Sequence, residues 1–373
     1  MTRKNPHPLE MLTLGVEEEF MLVDPATRIT VPRAPEVRAL ATPRLGERVA
    51  PELYATQIEA HTRPAKQVKE LRKDLVEGRR ALAEAATREG CMIVASGTAV
   101  LTGKPFTITE GARYEALAER YAAAVSGVDS EACGCHVHVG ELGCGEAVTL
   151  AGHLRPWLPV LQALAVNSPF AGGTFRRCAS WRHYQQQAWP TMGPSPLIPA
   201  ADYESLADDL VASGVLLDRK MIYWYARPSD HQPTLEIRVA DVAADVDMAL
   251  LVATLTRALA MAFLADARDG VQAPRTDDAA LREDHHQAAA LGLSGIWRHP
   301  FTGEAMPLSA GVRALLKKAA PALEALDEMR LVEELLQRMS HHDTGAQRQR
   351  AVYRRRGRLE DVVDDLAART TLT

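Results

Sequence analysis

Residues 13–24 read TLGVEEEFMLVD, a run of apolar and β-branched residues interrupted by three consecutive carboxylates, Glu17, Glu18 and Glu19. Side chains of a strand alternate between its two faces. Leu14, Val16, Phe20 and Leu22 therefore share one face and Glu17 and Glu19 the other, about 7 Å apart along the strand. Glu18 falls on the apolar side, where a charge is costly unless it is paired.

The same division recurs in three other short runs. In YATQIEAHT (54–62), Tyr54, Thr56, Ile58 and Ala60 oppose Gln57, Glu59 and His61. In CGCHVHVG (133–140), Val137 and Val139 oppose His136 and His138, and in PTLEIRVAD (233–241), Leu235, Ile237 and Val239 oppose Glu236 and Arg238. Four strands thus pair an aliphatic face, suited to packing under helices, with a face of Glu, His and Arg. Carboxylates and imidazoles converging on one face call for cations, and mainly oxygen ligands with some nitrogen suit Mg²⁺ or Mn²⁺.

Between the strands run amphipathic helical patterns: 66–89, followed by Gly90 as a stop, then 111–125, 146–166, 202–213, 246–266, 309–319, 327–340 and 359–369. Strand runs also occur at 92–96 and 222–227. They interleave with the helices without a regular βαβ period, which predicts an α+β fold on an antiparallel sheet. No internal repeat or linker divides the chain, and one domain over 1–373 is the simpler expectation.

The 373 residues are 47% hydrophobic with a formal net charge of −5, a globular composition without global attraction for nucleic acid or an anionic membrane. The dense basic run YRRRGR (353–358) is too short to change that expectation. No signal-peptide pattern precedes the first strand, so a cytoplasmic location is expected. The longest apolar segment, 248–267, contains Arg257 and two threonines and reads as a buried helix. Five cysteines, an odd count, predict free thiols.

Competing motifs have less support. Cys133, Cys135 and Cys144 beside His136 and His138 offer zinc ligands, but C-x-C-H-x-H is not a finger or deaminase spacing, and strand parity turns Cys133 and Cys135 away from the histidines. GTAVLTGKP (97–105) is not a Walker loop, and neither G-x-S-x-G nor G-x-G-x-x-G occurs.

LGVEEEFMLVDPATR, QIEAHT, CGCHVHVG, NSPF, PTLEIRVADVAADVD, DTGAQRQR and VVDDLAART, in that order over nearly the whole chain, resemble the glutamate–cysteine ligase type 2 family of bacterial carboxylate–amine ligases. The resemblance implies a glutamine synthetase-like fold: a curved antiparallel sheet with helices packed on its convex face, holding divalent metal and ATP on the other. By that resemblance Glu17, His136 and Glu236 would hold the metal on the nucleotide phosphates, and Glu19, Glu52 and Glu59 the metal on the substrate side. His138, Glu236 and Arg238 would form the catalytic set. His138 would lie near the nucleotide, Arg238 would contact the transferred phosphoryl group, and Arg182 and Arg227 would meet phosphate or a substrate carboxylate. The implied reaction joins a small-molecule carboxylate to an amine, amino acids among them, through an acyl phosphate. Relatives form homo-oligomers.

Departures from the family pattern are specific. Ala99 stands where a histidine is expected, Gln186 replaces a tryptophan, Ala188 and Ala290 replace arginines, and a usual acidic residue after NSPF is missing from AGGTFRR (171–177). An intact metal set with altered pocket positions predicts an active ligase with a changed substrate. The alternative is an inactive paralogue that binds nucleotide or amino acid for regulation, and elemental analysis would separate both from a zinc hydrolase.

Overall fold

The computed structural model describes residues 9–127 and 131–372; residues 1–8, part of the stretch weighed for export, lie outside them. The strands in chain order are β1 (Leu14–Val23), β2 (Val49–Pro51), β3 (Gln57–His61), β4 (Met92–Val94), β5 (Gly134–Gly140), β6 (Phe170–Ala171), β7 (Thr174–Phe175), β8 (Ala226–Pro228), β9 (Thr234–Asp241), β10 (Ile296–Arg298) and β11 (Ala305–Pro307). Among the described residues seven of them form one antiparallel sheet in the order β2-β3-β1-β5-β9-β8, and β4 pairs with the far end of β1. The ten-residue β1 is long enough to pair β5 through Leu14–Glu18 and β4 through Met21–Val23, with β3 on its other side.

The aliphatic parity sets point into a helical layer. Leu14, Val16, Val137, Val139, Leu235 and Ile237 are buried in one core cluster with the Val246–Arg268 helix, while Phe20, Leu22 and Ile58 belong to a second. The Val246–Arg268 helix is long and apolar enough to cross a membrane, yet here it is almost wholly buried within the protein. Several of its buried polar groups find partners inside the protein. Thr254 and Thr256 donate to Leu250 O and Val252 O, and Arg257 donates to Lys66 O at 2.7 Å and pairs with Glu328.

Several boundaries differ from the sequence reading. The pattern at 146–166 is two helices, Cys144–Leu154 and Leu158–Leu164, joined by a 3₁₀ turn where Pro156 and Pro159 withhold backbone donors. Helices at Ala34–Leu45, Asp278–Leu291 and Gly345–Arg356 carry too weak an apolar stripe to be read from the sequence. β3 starts only at Gln57, so parity does not extend back to Tyr54, which bridges Ile108 and lines the open side of the sheet.

Candidate active site

Register carries the polar face from strand to strand. Glu17 lies opposite His61 on β3 and His136 on β5; Glu19 faces Glu59; Glu236 lies between His138 on β5 and Arg227 on β8. Between Cys135↔Ala240 and Val137↔Ile237 the ladder shifts, so that Arg238 and Val239 oppose His136 alone. Such a bulge turns a side chain out of the regular pleat. Here it stands at Arg238, beside the acidic face.

These side chains floor a cleft of about 500 Å³. Its walls come from residues far apart in sequence: Arg113 and Tyr114, Gln185, Gln186 and Trp189, and Lys220 and Tyr223. This contribution was not legible in the strand pattern.

Two carboxylate groupings form. Glu19, Glu52 and Glu59 offer oxygens within 4.8 Å of one another, and so do ligand atoms of Glu17, His138 and Glu236. Glu17, Glu59 and His61 form a third overlapping set. Sequence reasoning put His61 on the polar face without giving it a ligand role. Glu52 follows β2 in irregular backbone, so its membership had no parity signal and came from the resemblance alone.

His136 reaches all three neighbouring acids: its Nδ1 lies 3.4 Å from Glu17 and 3.6 Å from Glu236, and its Nε2 lies 3.6 Å from Glu19. His138 Nε2 stands 3.2 Å from Glu17, and its Nδ1 stands 2.9 Å from the Thr234 hydroxyl. Sequence reasoning grouped His136 with Glu17 and Glu236; in the structure both imidazoles border these two acids, and His138 also has a ring nitrogen grouped with them.

The electrostatics divide the cleft. Burial pushes Glu17 and Glu236 up, but hydrogen bonds from His136 and His138 hold Glu17 well below the usual carboxylate range, and the Arg238 and Arg227 charges do the same for Glu236. At the other end burial raises Glu19, Glu52 and Glu59, and each acid's neighbours raise it further. Three crowded carboxylates, Glu19 and Glu59 buried and Glu52 half-buried, with Glu52 and Glu59 hydrogen-bonded to each other, have the chemistry of a divalent-cation site. The Nε2 atom of His136 is buried without a hydrogen-bond partner, which also fits a donor set built for a metal.

Glu236 fixes the cations. Arg227 Nε donates to it at 3.0 Å and Arg238 pairs with its other oxygen. Arg182 approaches from the Trp181–Gln186 helix, buried, with its guanidinium packed over Gly134, where any side chain would collide with Arg182 and His136. Asp241 anchors that helix by accepting from Ser168 and Ser180 at 2.7 and 2.8 Å.

Two expectations fare differently here. Cys133 and Cys135 are buried in the core clusters, and among the described residues no cysteine joins a three-ligand group, so the zinc arrangement does not form. Of the departures taken to alter the substrate pocket, Gln186 lines the cleft. Ala99, Ala188 and Ala290 do not: Ala99 is a small apolar side chain buried in the second core cluster, and Ala188 is exposed.

The profile of glutamate-cysteine ligase family 2 (GCS2) matches residues 13–365. A Salinispora tropica protein, provisionally named glutamate–cysteine ligase 2, is 40% identical over 368 residues, 98% of this chain and 97% of that protein. A Saccharopolyspora erythraea protein, provisionally named glutamate–cysteine ligase 2-1, is 41% identical over 361 residues, 96% of this chain and 95% of that protein. Among solved structures, the glutamate–cysteine ligase of Francisella tularensis in complex with AMP superposes with a TM-score of 0.68 at 11% identity, covering 98% of this chain and 90% of that one. A bifunctional glutathione synthetase from Pasteurella multocida superposes with a TM-score of 0.69 at 16% identity, covering 96% of this chain. This chain spans about half the length of that bifunctional protein, 52%. At these identities the likeness is one of fold.

Proposed function

The chain belongs to glutamate-cysteine ligase family 2, ATP-dependent ligases that form carbon–nitrogen bonds, and on that premise we propose that it joins a small carboxylate to an amine through an acyl phosphate. A carboxylate is a poor electrophile. Its oxygen attacks the γ-phosphorus of ATP, ADP leaves, and the resulting acyl phosphate has a good leaving group. The amine then attacks the acyl carbon, forming the C–N bond as the C–O bond to phosphate breaks.

The observation that carries this reading is the pair of neighbouring ligand sets, Glu19/Glu52/Glu59 and Glu17/His138/Glu236, beside two arginines held by Glu236. Mg²⁺ or Mn²⁺ held there, with His136 in support, would neutralise charge on the triphosphate and the moving phosphoryl group. Arg238 and Arg227, oriented by Glu236, bind phosphate oxygens, and Arg182 meets phosphate or the acid substrate's carboxylate. The cleft walls exclude water from the acyl phosphate. We further propose a substrate pair other than glutamate and cysteine, since Gln186 presents an amide where the family pattern has a tryptophan.

The reading is tested by ADP release with Mg²⁺ or Mn²⁺ against paired libraries of amino acids and amines. Release requiring both an acid and an amine, and falling at least 100-fold in Glu236→Gln, is expected (about 3 kcal/mol of transition-state stabilisation). ATP binding without ADP formation for any pair would overturn it.

A further inference from the structure

A second concavity, of about 610 Å³, lies outside the cleft and shares no lining residue with it. One side is an aromatic shelf. The Phe170 ring lies 5.3 Å from Phe175 and 5.1 Å from Tyr353, and Phe175, on the short β6–β7 hairpin, is left 41% exposed.

The other side is cationic. Arg350 and Arg354 stand one turn apart on the Gly345–Arg356 helix, a spacing at which like charges repel. Among the described residues neither forms an ion pair, although Asp343 also lines the groove. Burial and the charge of Arg354 push the Arg350 guanidinium below its ordinary value.

Three nearby arginines are neutralised. Arg348 pairs with Asp365 at 2.8 Å, Arg356 with Asp361 at 3.5 Å and Arg358 with Glu360 at 3.6 Å. The groove is thus lined by Arg350 and Arg354 from one helix face beside the aromatic rings, with Arg354 Nε donating to Arg350 O at 3.3 Å. The stretch after NSPF lacks the acidic residue usual in the family pattern, and its hairpin presents Phe175 at the groove.

Two adjacent guanidinium groups, Arg350 half-buried and Arg354 exposed, with Asp343 as the acid near Arg350, carry excess positive charge that favours an anion, and the exposed Phe175 ring beside them favours one with a flat π-face. The volume suits a small molecule. We propose that this groove is a second ligand site, taking a nucleoside mono- or diphosphate with its base on Phe175 and Tyr353 and its phosphate on Arg350 and Arg354. The site has a route to the cleft: the segment after the hairpin runs on to Ser180, held by Asp241, and to Arg182.

The test is AMP binding by calorimetry in EDTA, where a metal-dependent cleft is silent, followed by mant-ADP titration with Mg²⁺. In EDTA, wild type and Glu236→Gln should each bind one AMP. Arg350→Ala/Arg354→Ala should weaken it at least tenfold and Phe175→Ala severalfold, each with an unchanged thermal midpoint. With Mg²⁺, mant-ADP should reach two equivalents, one lost in each class of variant. Adenosine and inorganic phosphate, titrated separately, should each bind more weakly than AMP. No AMP binding, binding indifferent to the groove variants, or phosphate binding as tightly as AMP would overturn the proposal. Because the AMP measurement needs no turnover, it stands or falls apart from the ligase reading.

Discussion

Glu18, the middle carboxylate of β1, is paired with Arg79 of the Val68–Arg88 helix, both side chains being almost wholly buried. Arg79 Nε donates to Glu18 at 2.9 Å, and the same guanidinium donates to Ala243 O at 2.8 Å and reaches the carbonyls of Ala244 and Thr370. One arginine thus ties the strand bearing Glu17 and Glu19 to the turn before the central helix and to the C-terminal helix. Arg79→Met strands a buried carboxylate and should cost about 3–5 kcal/mol in urea unfolding. Adding Glu18→Leu should restore only part of this, because three carbonyls still lack their donor.

If Glu19, Glu52 and Glu59 hold a cation as proposed, their crowding should make a divalent cation a stabiliser. Raised carboxylate pKa values mean that stability fully present below the unfolded value is lost as pH rises, so the metal-free protein is penalised at neutral pH. Adding Mn²⁺ at about 100 times its Kd should stabilise the fold by about 2.7 kcal/mol. In Glu59→Gln the thermal midpoint without metal should rise and the response to Mn²⁺ should largely vanish; an undiminished response would count against this ligand set.

Glu131 supplies a pH dependence outside the cleft. It is buried and accepts from Thr30 at 3.2 Å and Thr56 at 2.5 Å, and burial pushes it up to about 7 despite these bonds. Its folded value lies above its unfolded one, so its stabilisation is complete below about pH 4.5 and lost as pH rises through 7. Between pH 4.5 and 7.5 wild type should lose about 3 kcal/mol relative to Glu131→Gln. Parallel pH profiles of denaturant midpoints for the two proteins would contradict this.

Gly134 is required for space. A methyl group there would meet the Arg182 guanidinium and His136 Nε2. Gly134→Ala should leave far-ultraviolet circular dichroism unchanged, yet lower ADP release more than tenfold by displacing both side chains, about 1.4 kcal/mol or more. Activity near wild type would show that Arg182 does not need this seat.

Much of the floor was legible because strand alternation is local: Glu17 and Glu19, Glu59 and His61, His136 and His138, and Glu236 and Arg238 each sort by parity within a few residues. What parity cannot give is a partner from elsewhere. Arg79 meets Glu18 across 61 positions, and the arginine in the Val68–Arg88 sequence looks like any solvated helix residue. Glu52 sits just past the end of β2, outside any strand. The cleft wall comes from Arg113 and Tyr114 on the Ala112–Arg120 helix, Gln185 and Gln186 at the end of the Trp181–Gln186 helix with Trp189 beyond it, and Lys220 and Tyr223 at a 3₁₀ turn, and a helical period says which face is apolar but not that these elements border the sheet. The same limit explains Ala99, which a linear comparison put in the pocket and the fold puts in the core.

The most direct measurement follows an acid substrate labelled with ¹⁸O in its carboxylate, using the pair identified by ADP release. Transfer through an acyl phosphate predicts one ¹⁸O in each phosphate released, and loss of both turnover and label transfer in Glu236→Gln. Phosphate free of label, with ADP still formed and amide made, would contradict the account.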